Sequence, residues 1–374
     1  MYPLGWAAIH YVEKSVFGLR ISVFGFLATP SRTLPLSSLA LPAKDERMSS
    51  VIQVSIHASQ FPDQVRRDLL DSLRSRQVNH KFHYDSLKQT QKWLALHEAF
   101  SPARTDSQCQ AIYDASFGSV AQKIHSPQLT VIGLGCGGGQ KETSLLRLLA
   151  ALGKQLAFVP CDVSAAMVLV AATAASEVVT DCRPVVFDIA TADDLPEVFD
   201  EVAPRDGARL VTFFGMIPNF EPHTILSRLT RLLAPGEHLL FSANLAPGPD
   251  YDAGVQKILP QYDNALTREW LLTFLLDLGV ERTDGAIRFR TETCPQDSGV
   301  KRIAADFYFD RARLVEVDGE RFEFQPGDTI RLFFSYRYTP GQIRGLLNEH
   351  FLGVLEEWIT ESGEEGVFLC RKIE

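Results

Sequence analysis

The 374-residue chain has only six cysteines, at positions 109, 136, 161, 182, 294 and 370, and no two of them form a Cys-x-x-Cys pair. This spacing favours neither a structural zinc site nor a disulfide framework, so a reducing, cytoplasmic environment is expected. No apolar run reaches the ~18 residues that a membrane-spanning helix needs, and no run of Lys and Arg exceeds two. With a net charge of −9, neither nucleic acid nor a membrane is an expected partner.

The first 47 residues are a candidate targeting segment that departs from the usual pattern. They contain few acids and are largely apolar from Ser15 to Thr29, but they lack a basic start and a small-residue cleavage site. Met48 follows directly. We therefore treat residues 1–47 as an extension, either upstream of a working start at Met48 or an organellar transit peptide, and exclude them from fold reasoning.

The pattern around which the chain is organised is a strand, a glycine loop and a helix. An apolar run at 129–134 leads into five glycines between positions 133 and 139, and leucines at helical spacing follow from Lys141 to Leu152, before Gly153. Such a loop lets a ligand approach the backbone closely, and it directs the free N–H groups of the helix at a polar or anionic group.

Acidic residues follow the next two predicted strands. Asp162 comes after the run 156–160, and Asp188 comes after the run 184–187. A carboxylate at the first strand tip can accept hydrogen bonds from ribose hydroxyls, and one at the second can accept from an adenine amino group. Both acids could instead simply cap the helices that follow.

The glycine spacing alone leaves two cofactor classes open. Gly133-x-Gly135-x-x-Gly138 also fits the dinucleotide fingerprint of nicotinamide enzymes. Three successive strand tips carrying Gly, Asp and Asp nevertheless favour S-adenosylmethionine.

The alternation of elements over 129–243 predicts a doubly wound α/β sheet, with strands near 129–134, 156–160, 184–187, 208–214 and 236–242. The fourth strand runs into Gly215–Pro222, which places Asn219 at the carboxyl edge, where a substrate should meet the cofactor. The alternative is a turn asparagine before a helix. Helices predicted from residues 62, 89 and 106 precede the sheet, and their turns, 82–85 and 97–104, are expected to form a wall over the cofactor cleft.

After residue 245 the alternation stops. A helix begins after Asn264, a β meander is predicted over 285–335, Thr339 and Gln342 form the capping box of a further helix, and strands at 354–359 and 367–371 should return to the sheet as an antiparallel hairpin. We predict four parts: the extension 1–47, N-terminal helices plus cofactor core 48–245, an inserted α+β substrate subdomain 246–335, and a return to the sheet 336–374.

These features resemble the histidine-specific N-alpha-methyltransferase family, S-adenosylmethionine-dependent enzymes of the ergothioneine-biosynthesis type. The resemblance covers roughly residues 80–372. It is carried by the segments Tyr84–Asp85, Glu98–Asp106, Gly133–Lys141, Val159–Ser164, Phe187–Asp188, Gly215–Pro222, Tyr262–Asn264 and Ser335–Tyr338. The resemblance implies a Rossmann-like class I methyltransferase core with an inserted α+β substrate-binding subdomain.

The resemblance also implies roles for individual residues. Asn219 and Tyr262 match the positions that hold the substrate's amino and carboxylate groups, and Ser335 lies in the substrate loop. The residues that would contact S-adenosylmethionine are Gly135, Gly137, Lys141, Asp162 and Asp188.

Two departures from the family pattern concern the substrate. Phe100 stands where the family has a tyrosine, and Phe333 stands where it has an imidazole-binding glutamate two residues before Ser335. Because residues two apart on a strand share a face, we expect Phe333 and Ser335 to face one pocket. That pocket should disfavour histidine and prefer an apolar or aromatic amino acid or a derived amine.

The leading hypothesis is therefore an S-adenosylmethionine-dependent N-methyltransferase acting on a free amino acid or small amine. The alternatives are a nicotinamide-dependent oxidoreductase that uses the same glycine loop, and an inactive relative that only binds ligands. The oligomeric state is not predicted.

Overall fold

One mixed β-sheet forms the centre of the computed structural model, which describes residues 51–101, 106–294 and 299–374. The predicted extension at 1–47 and the alternative start at Met48 lie outside these residues. The strands of this sheet are β1 (Ser55–Ile56), β2 (Gln128–Leu134), β3 (Gln155–Asp162), β4 (Asp181–Cys182), β5 (Val185–Val186), β6 (Ala208–Phe214), β7 (His238–Asn244), β13 (Leu352–Ile359) and β14 (Glu365–Lys372).

The order of the strands creates a switch point at the middle of the sheet. The order is β1-β5-β3-β2-β6-β7-β14-β13, with β4 also paired to β3. Strand β2 therefore has β3 on one side and β6 on the other, and both pairings are parallel. Ligands bind outside the carboxyl ends of strands at such a point. A ligand is therefore expected at the loops after β2, β3 and β6.

The last two strands confirm the predicted antiparallel return. Strand β14 pairs antiparallel with β7 and with β13, which forms the edge. The helix before this hairpin also begins as predicted, because the Thr339 hydroxyl accepts from the Gln342 N–H at 3.2 Å, and the Gln342 side chain accepts from the Thr339 N–H at 2.8 Å. This reciprocal capping satisfies two backbone donors that the first helical turn leaves free.

Helices cover both faces of the sheet. The described helices are α1 (Pro62–Ser75), α2 (Leu87–Phe100), α3 (Ser107–Lys123), α4 (Gln140–Ala151), α5 (Ala165–Ala175), α6 (Leu195–Val202), α7 (Pro222–Leu232), α8 (Tyr251–Tyr262), α9 (Ala265–Asp277) and α10 (Pro340–Glu349). One apolar layer includes Phe199 and Ile225 from α6 and α7, and the other includes Phe117 and Leu145 from α3 and α4. Leu152, predicted to extend the apolar face of α4, follows the end of the helix and is exposed.

The segment after α9 forms two sheets, whereas a single meander was predicted. The strands are β8 (Gly285–Thr293), β9 (Lys301–Phe309), β10 (Arg313–Val317), β11 (Glu320–Phe324) and β12 (Thr329–Arg337). Strand β12 pairs directly with β9, which pairs with β8, while β10 and β11 pair only with each other. The tight turn at Asp318 and Gly319, which both have positive φ, folds β10 back onto β11. Because β12 pairs with β9 and not with β11, this hairpin forms a separate sheet.

None of the helices in the part of the chain that the structure covers is both long and apolar enough to span a membrane.

The predicted boundaries at 245/246 and 335/336 remain predictions, and β12 continues to Arg337.

The start of α4 yields a test of the packing between the glycine loop and α5. At Gly139, with φ of 70°, an added Cβ would lie 2.8 Å from Ala171 Cβ and 2.9 Å from its Cα. Gly139→Ala should lower the free energy of unfolding by the ~1–3 kcal/mol of a left-handed non-glycine residue, and by about 1–3 kcal/mol more for overpacking. Gly153→Ala is the matched control, because Gly153 has φ of 80° and nothing within 4 Å of the added Cβ. Thermal unfolding of both variants should show a clearly larger loss for Gly139→Ala, and equal losses would contradict the close contact with α5.

Candidate functional site

A cavity of about 600 Å³ opens at the carboxyl ends of β2, β3 and β6. The loops after these strands contribute Gly135, Asp162 and Asn219 to its wall, and the segment after β5 contributes Asp188. Four residues predicted from separate strand tips thus meet in one cavity, because parallel strands present their carboxyl ends at the same edge.

The glycine loop brings backbone to the cavity wall in a conformation that favours glycine. Gly135 and Gly137 have φ of 60° and 51°, which favour glycine. A Cβ on Gly135 would lie 2.6 Å from the Met216 side chain, and one on Gly137 would lie 3.0 Å from the Trp93 ring. The loop is thus a close-fitting surface at the beginning of α4, where unpaired backbone N–H groups are available to a ligand.

Asp162 links the loop to the tip of β3. Its Oδ2 accepts from the Gly137 N–H at 3.0 Å, and its Oδ1 accepts from the Ser164 N–H at 3.0 Å. Burial raises the pKa of this carboxyl to about 6, although these backbone donors act in the opposite direction. Helix α5 is capped by the side chain of Ser164, so Asp162 does not have the capping role that was its alternative interpretation.

Asp188 has one oxygen engaged and one without a hydrogen bond. Its Oδ1 accepts from the Ala190 N–H at 2.8 Å, whereas its Oδ2 has no hydrogen-bond partner among the residues that the structure describes. The carboxyl is 3% exposed, and burial raises its pKa. Lys81 Nζ lies 3.9 Å from Oδ2 and pairs more closely with Asp68. The free oxygen at the cavity wall suits a donor on a ligand.

Lys141 lines the cavity, but its ammonium is engaged within the protein. Its Nζ donates to the Tyr113 hydroxyl at 2.6 Å, lies 4.2 Å from the centre of that ring, and lies 3.9 Å from Glu365 Oε1. The Tyr113 hydroxyl is 2.6 Å from Glu365 Oε1 and 2.8 Å from Ser242 Oγ. The predicted contact between Lys141 and S-adenosylmethionine remains a prediction.

Several wall residues were not predicted from the sequence. Tyr113 and Glu365 come from α3 and β14. Glu142, on the first turn of α4, is buried, accepts a hydrogen bond from Thr212 Oγ1 at 3.1 Å, and has its pKa raised to about 7 by burial. Glu142 could have been predicted as a buried residue, because it is an acid at one of the apolar positions of α4.

The N-terminal turns form part of the wall, as predicted for 82–85 and 97–104. Tyr84, Trp93 and His97 line the cavity, and the last two rings stack at 4.8 Å. Residues 102–105 of the second turn lie outside the described part. Burial raises the pKa of Tyr84, and the nearby Asp162 carboxylate and Tyr262 hydroxyl raise it further.

Asn219 ends the short 3₁₀ helix Ile217–Asn219 at the cavity wall. Its backbone N–H donates to Met216 O at 3.0 Å, and no hydrogen bond occupies its side-chain amide within residues 51–101, 106–294 and 299–374. An amide can donate to a carboxylate and accept from an amine, so its chemistry is available to a ligand.

Tyr262, Phe333 and Ser335 lie together but do not line the cavity. The Tyr262 hydroxyl is 2.8 Å from Ser335 Oγ and accepts from Arg337, and its ring is 6.1 Å from that of Phe333. Phe333 and Ser335 therefore share a face, as the strand spacing predicted. Phe100, at the end of α2, is 51% exposed and is also outside the cavity lining.

A model of the family described as "Histidine-specific methyltransferase, SAM-dependent" matches residues 65–372. The chain belongs to this family. It is 24% identical to the histidine N-alpha-methyltransferase of Mycobacterium tuberculosis (strain CDC 1551 / Oshkosh) over 320 residues, 82% of this chain and 95% of that protein. It is 25% identical to the N-methyltransferase imqF of Aspergillus flavus over 249 residues, 63% of this chain and 66% of that protein.

Solved methyltransferases were also matched. The S-adenosylmethionine-dependent methyltransferase of Clostridium acetobutylicum ATCC 824 aligns with 76% of this chain and 99% of its own, at 14% identity and a TM-score of 0.42.

Family membership decides between the two cofactor classes that the glycine loop left open, in favour of S-adenosylmethionine, and it makes the protein an N-methyltransferase. The predicted Rossmann-like core is confirmed by the strand order itself.

The Tyr113 cluster provides a second test. Tyr113→Phe removes the hydroxyl that joins Lys141 to Glu365 and leaves both charges without that partner. The free energy of unfolding should fall by about 1–3 kcal/mol, the usual effect of leaving a buried polar group unpaired. Tyr308→Phe is the control, since no hydrogen bond to its hydroxyl is found in the described chain. Chemical unfolding should separate the two variants, and similar stabilities would mean that the cluster adds nothing.

Proposed function

We propose that this family member methylates the amino group of a free amino acid or a related small amine, and that free histidine is a poor acceptor. The observation that supports the proposal most directly is the meeting of the glycine loop, Asp162, Asp188 and Asn219 in one cavity. The first three suit the cofactor, and Asn219 is an available polar side chain beside them.

The residues present fit S-adenosylmethionine. Gly135 and Gly137 have positive φ, which favours glycine, and both line the cavity, as expected where a ligand approaches the backbone closely. Asp162 would accept hydrogen bonds from the ribose hydroxyls, and the unpaired Asp188 Oδ2 would accept from the adenine amino group. When bound, S-adenosylmethionine supplies an electrophilic methyl group on a sulfonium.

The chain's own contribution to methyl transfer is to position a neutral amine. Asn219 would orient the amine through its amide oxygen, and the cavity wall would exclude water around it. Holding two reactants in line can supply much of the rate acceleration of such a reaction. Desolvation lowers the pKa of the amine, so a strong base is not needed for this step.

The proposed selectivity against histidine rests on the family resemblance at Phe333 and Phe100, neither of which lines the cavity. The resemblance assigns an imidazole-binding carboxylate to the position of Phe333, which here belongs to a buried aromatic cluster. Phe100 is not in the cavity wall, so its substrate role rests on the resemblance alone. Tyr262 and Ser335 retain the family's residue types, and Arg337 donates to the Tyr262 hydroxyl, but none of the three lines the cavity.

The cellular setting is also part of the proposal. No disulfide joins any of the six cysteines, all of which lie in the described residues, and this fits a reducing compartment such as the cytoplasm. The net charge of −9 favours a small-molecule substrate over nucleic acid.

The primary experiment is mass spectrometry after incubation with isotope-labelled S-adenosylmethionine and a panel of amino acids and their decarboxylated amines. Label transferred to at least one acceptor nitrogen, with histidine among the poorest acceptors, is the expected result. Binding of S-adenosylhomocysteine without any methylated product would favour the inactive relative instead.

The raised pKa of Asp162 gives a pH test of its contact with the cofactor. The carboxylate is the better acceptor for ribose hydroxyls, and its pKa is about 6 in the ligand-free protein. Affinity for S-adenosylhomocysteine should therefore hold above pH 7 and fall as the pH drops through 6. The loss at pH 5 should be roughly tenfold if only the carboxylate form binds.

Titration calorimetry from pH 5 to 8 checks this expectation. Asp162→Asn should bind about 10- to 100-fold more weakly at pH 8, as expected for a lost hydrogen bond to a charged group, and should lose the fall below pH 6. Glu142→Gln is the control, because Glu142 also titrates near neutrality but should leave that fall unchanged. A pH dependence that survives in Asp162→Asn would assign the ribose contact elsewhere.

Asn219→Ala should separate substrate handling from cofactor binding. With the amide removed, we expect kcat/KM to fall about 100-fold, in the range found for positioning groups, and the affinity for S-adenosylhomocysteine to stay within about twofold of the unmodified protein, since no cofactor contact is assigned to it. Asn348→Ala, exposed on α10, is the control. A collapse of cofactor affinity in Asn219→Ala would place the residue in the fold or the cofactor site.

A further inference from the structure

His80 stands between the cavity and the aromatic cluster that contains Phe333. It lines the cavity, whereas Phe333 does not. Its ring makes edge contacts with Phe333 at 5.3 Å and 68° and with Phe334 at 4.7 Å and 90°. Of these two residues, His80 is therefore the one that borders the cavity, and its imidazole packs against Phe333.

The imidazole has unused hydrogen-bonding capacity. Both ring nitrogens are buried, and neither has a hydrogen-bond partner in the part of the chain that the structure describes. A neutral imidazole has one N–H donor and one acceptor nitrogen. A buried polar group that lacks a partner is unfavourable, so an unpaired donor and acceptor beside a ligand cavity suggest that the ligand provides the partner.

A second histidine on the same short helix shows the contrast. The segment His80–His83 is a single 3₁₀ turn, and His83 is fully buried outside the cavity lining. The Nε2 of His83 bonds Leu332 O at 2.7 Å, so His83 is anchored to the protein backbone. The ring nitrogens of His80 have no such anchor in the described chain, and the ring packs against Phe333 and Phe334.

The surroundings keep the His80 ring uncharged. Burial lowers its pKa to about 3, and the charges of His83 and Arg302 act in the same direction. A neutral ring between two phenylalanines offers no counter-charge to a charged substrate side chain, which would have to be desolvated without an ion pair. It does offer a stacking or edge contact to an aromatic ring and one hydrogen bond to a neutral polar group.

We propose that His80 is a specificity-determining residue, which hydrogen-bonds a single neutral polar group, a phenol hydroxyl or an indole N–H, on the ring of an aromatic amino-acid substrate. The inference rests on the proposed function, because it assumes that the cavity holds an amino-acid acceptor. The inference adds two points to the proposed function: the class of side chain that the substrate carries, and the residue that recognises this side chain.

The experiment compares acceptors that differ only in that polar group. One pair is tyrosine and phenylalanine, and the other is tryptophan and 3-benzothienylalanine, in which sulfur replaces the indole N–H. In the unmodified full-length protein, kcat/KM should favour the polar member of at least one pair by about 10- to 100-fold, because its absence leaves the imidazole unpaired. The pair that shows the preference identifies the polar group.

Variants of His80 then test the residue itself. His80→Phe keeps a ring but removes both nitrogens, so the preference should fall to about twofold or less, with S-adenosylhomocysteine affinity unchanged. His80→Asn and His80→Gln each restore an amide near one ring nitrogen, and one of them should recover part of the preference. His83→Gln is the matched control from the same turn and should leave the preference intact.

The outcomes separate this inference from the proposed function. Equal rates within both pairs, a preference that persists in His80→Phe, or methylation confined to non-aromatic acceptors would each overturn the role of His80 while leaving the N-methyltransferase proposal in place. Cofactor binding without methylation of any acceptor would instead overturn the proposed function. If His80→Phe does not fold, the comparison within each acceptor pair and the two amide variants still test the role of His80.

Discussion

The hydrogen bond from the Gly137 N–H to the Asp162 carboxylate joins the tips of the two central strands, and the position of the site depends on it. A second bond, from the Cys136 N–H to Cys161 O at 3.0 Å, lies beside it. Glycines at positive φ are intrinsically flexible, so these bonds fix where the loop ends and α4 begins. The contact of Gly139 with Ala171 then sets α4 against α5, and the free N–H groups of α4 consequently face the cavity.

Burying the acidic side chains of the cavity wall is energetically unfavourable when no ligand is bound. Glu142, Asp162 and Asp188 are all carboxyls whose pKa values burial raises. Lys141 contributes little opposing charge, because Glu365 and Tyr113 already engage its ammonium. A wall of desolvated acids suits a positively charged ligand, and the sulfonium of the family's cofactor is one. The same groups that destabilise the empty site should therefore favour the loaded one.

The part of the site that could be predicted from the sequence is the part that follows strand tips. Asp162 and Asp188 closely follow apolar runs, and Asn219 lies in the loop after β6; parallel strands bring such positions to one edge. Tyr113 and Glu365 could not be predicted in the same way. They are separated by 252 positions in the sequence, and they meet because β14 inserts beside β7 while α3 packs against the same sheet face. A strand order of this kind is set by the whole chain and not by a local pattern.

Phe333 shows a subtler limit of sequence patterns. The two-residue spacing correctly gave Phe333 and Ser335 one face, since both contact Tyr262, but spacing carries no information on how many side chains separate that face from a cavity. Here His80 and Tyr84 line the cavity, and Phe333, Tyr262 and Ser335 lie outside its lining. Tyr84 lines the cavity and packs against the aromatic cluster that contains Phe333, so Tyr84 lies between the two layers as His80 does beside Phe333. A substitution at Phe333 would therefore act on substrate choice through the position of the His80 ring.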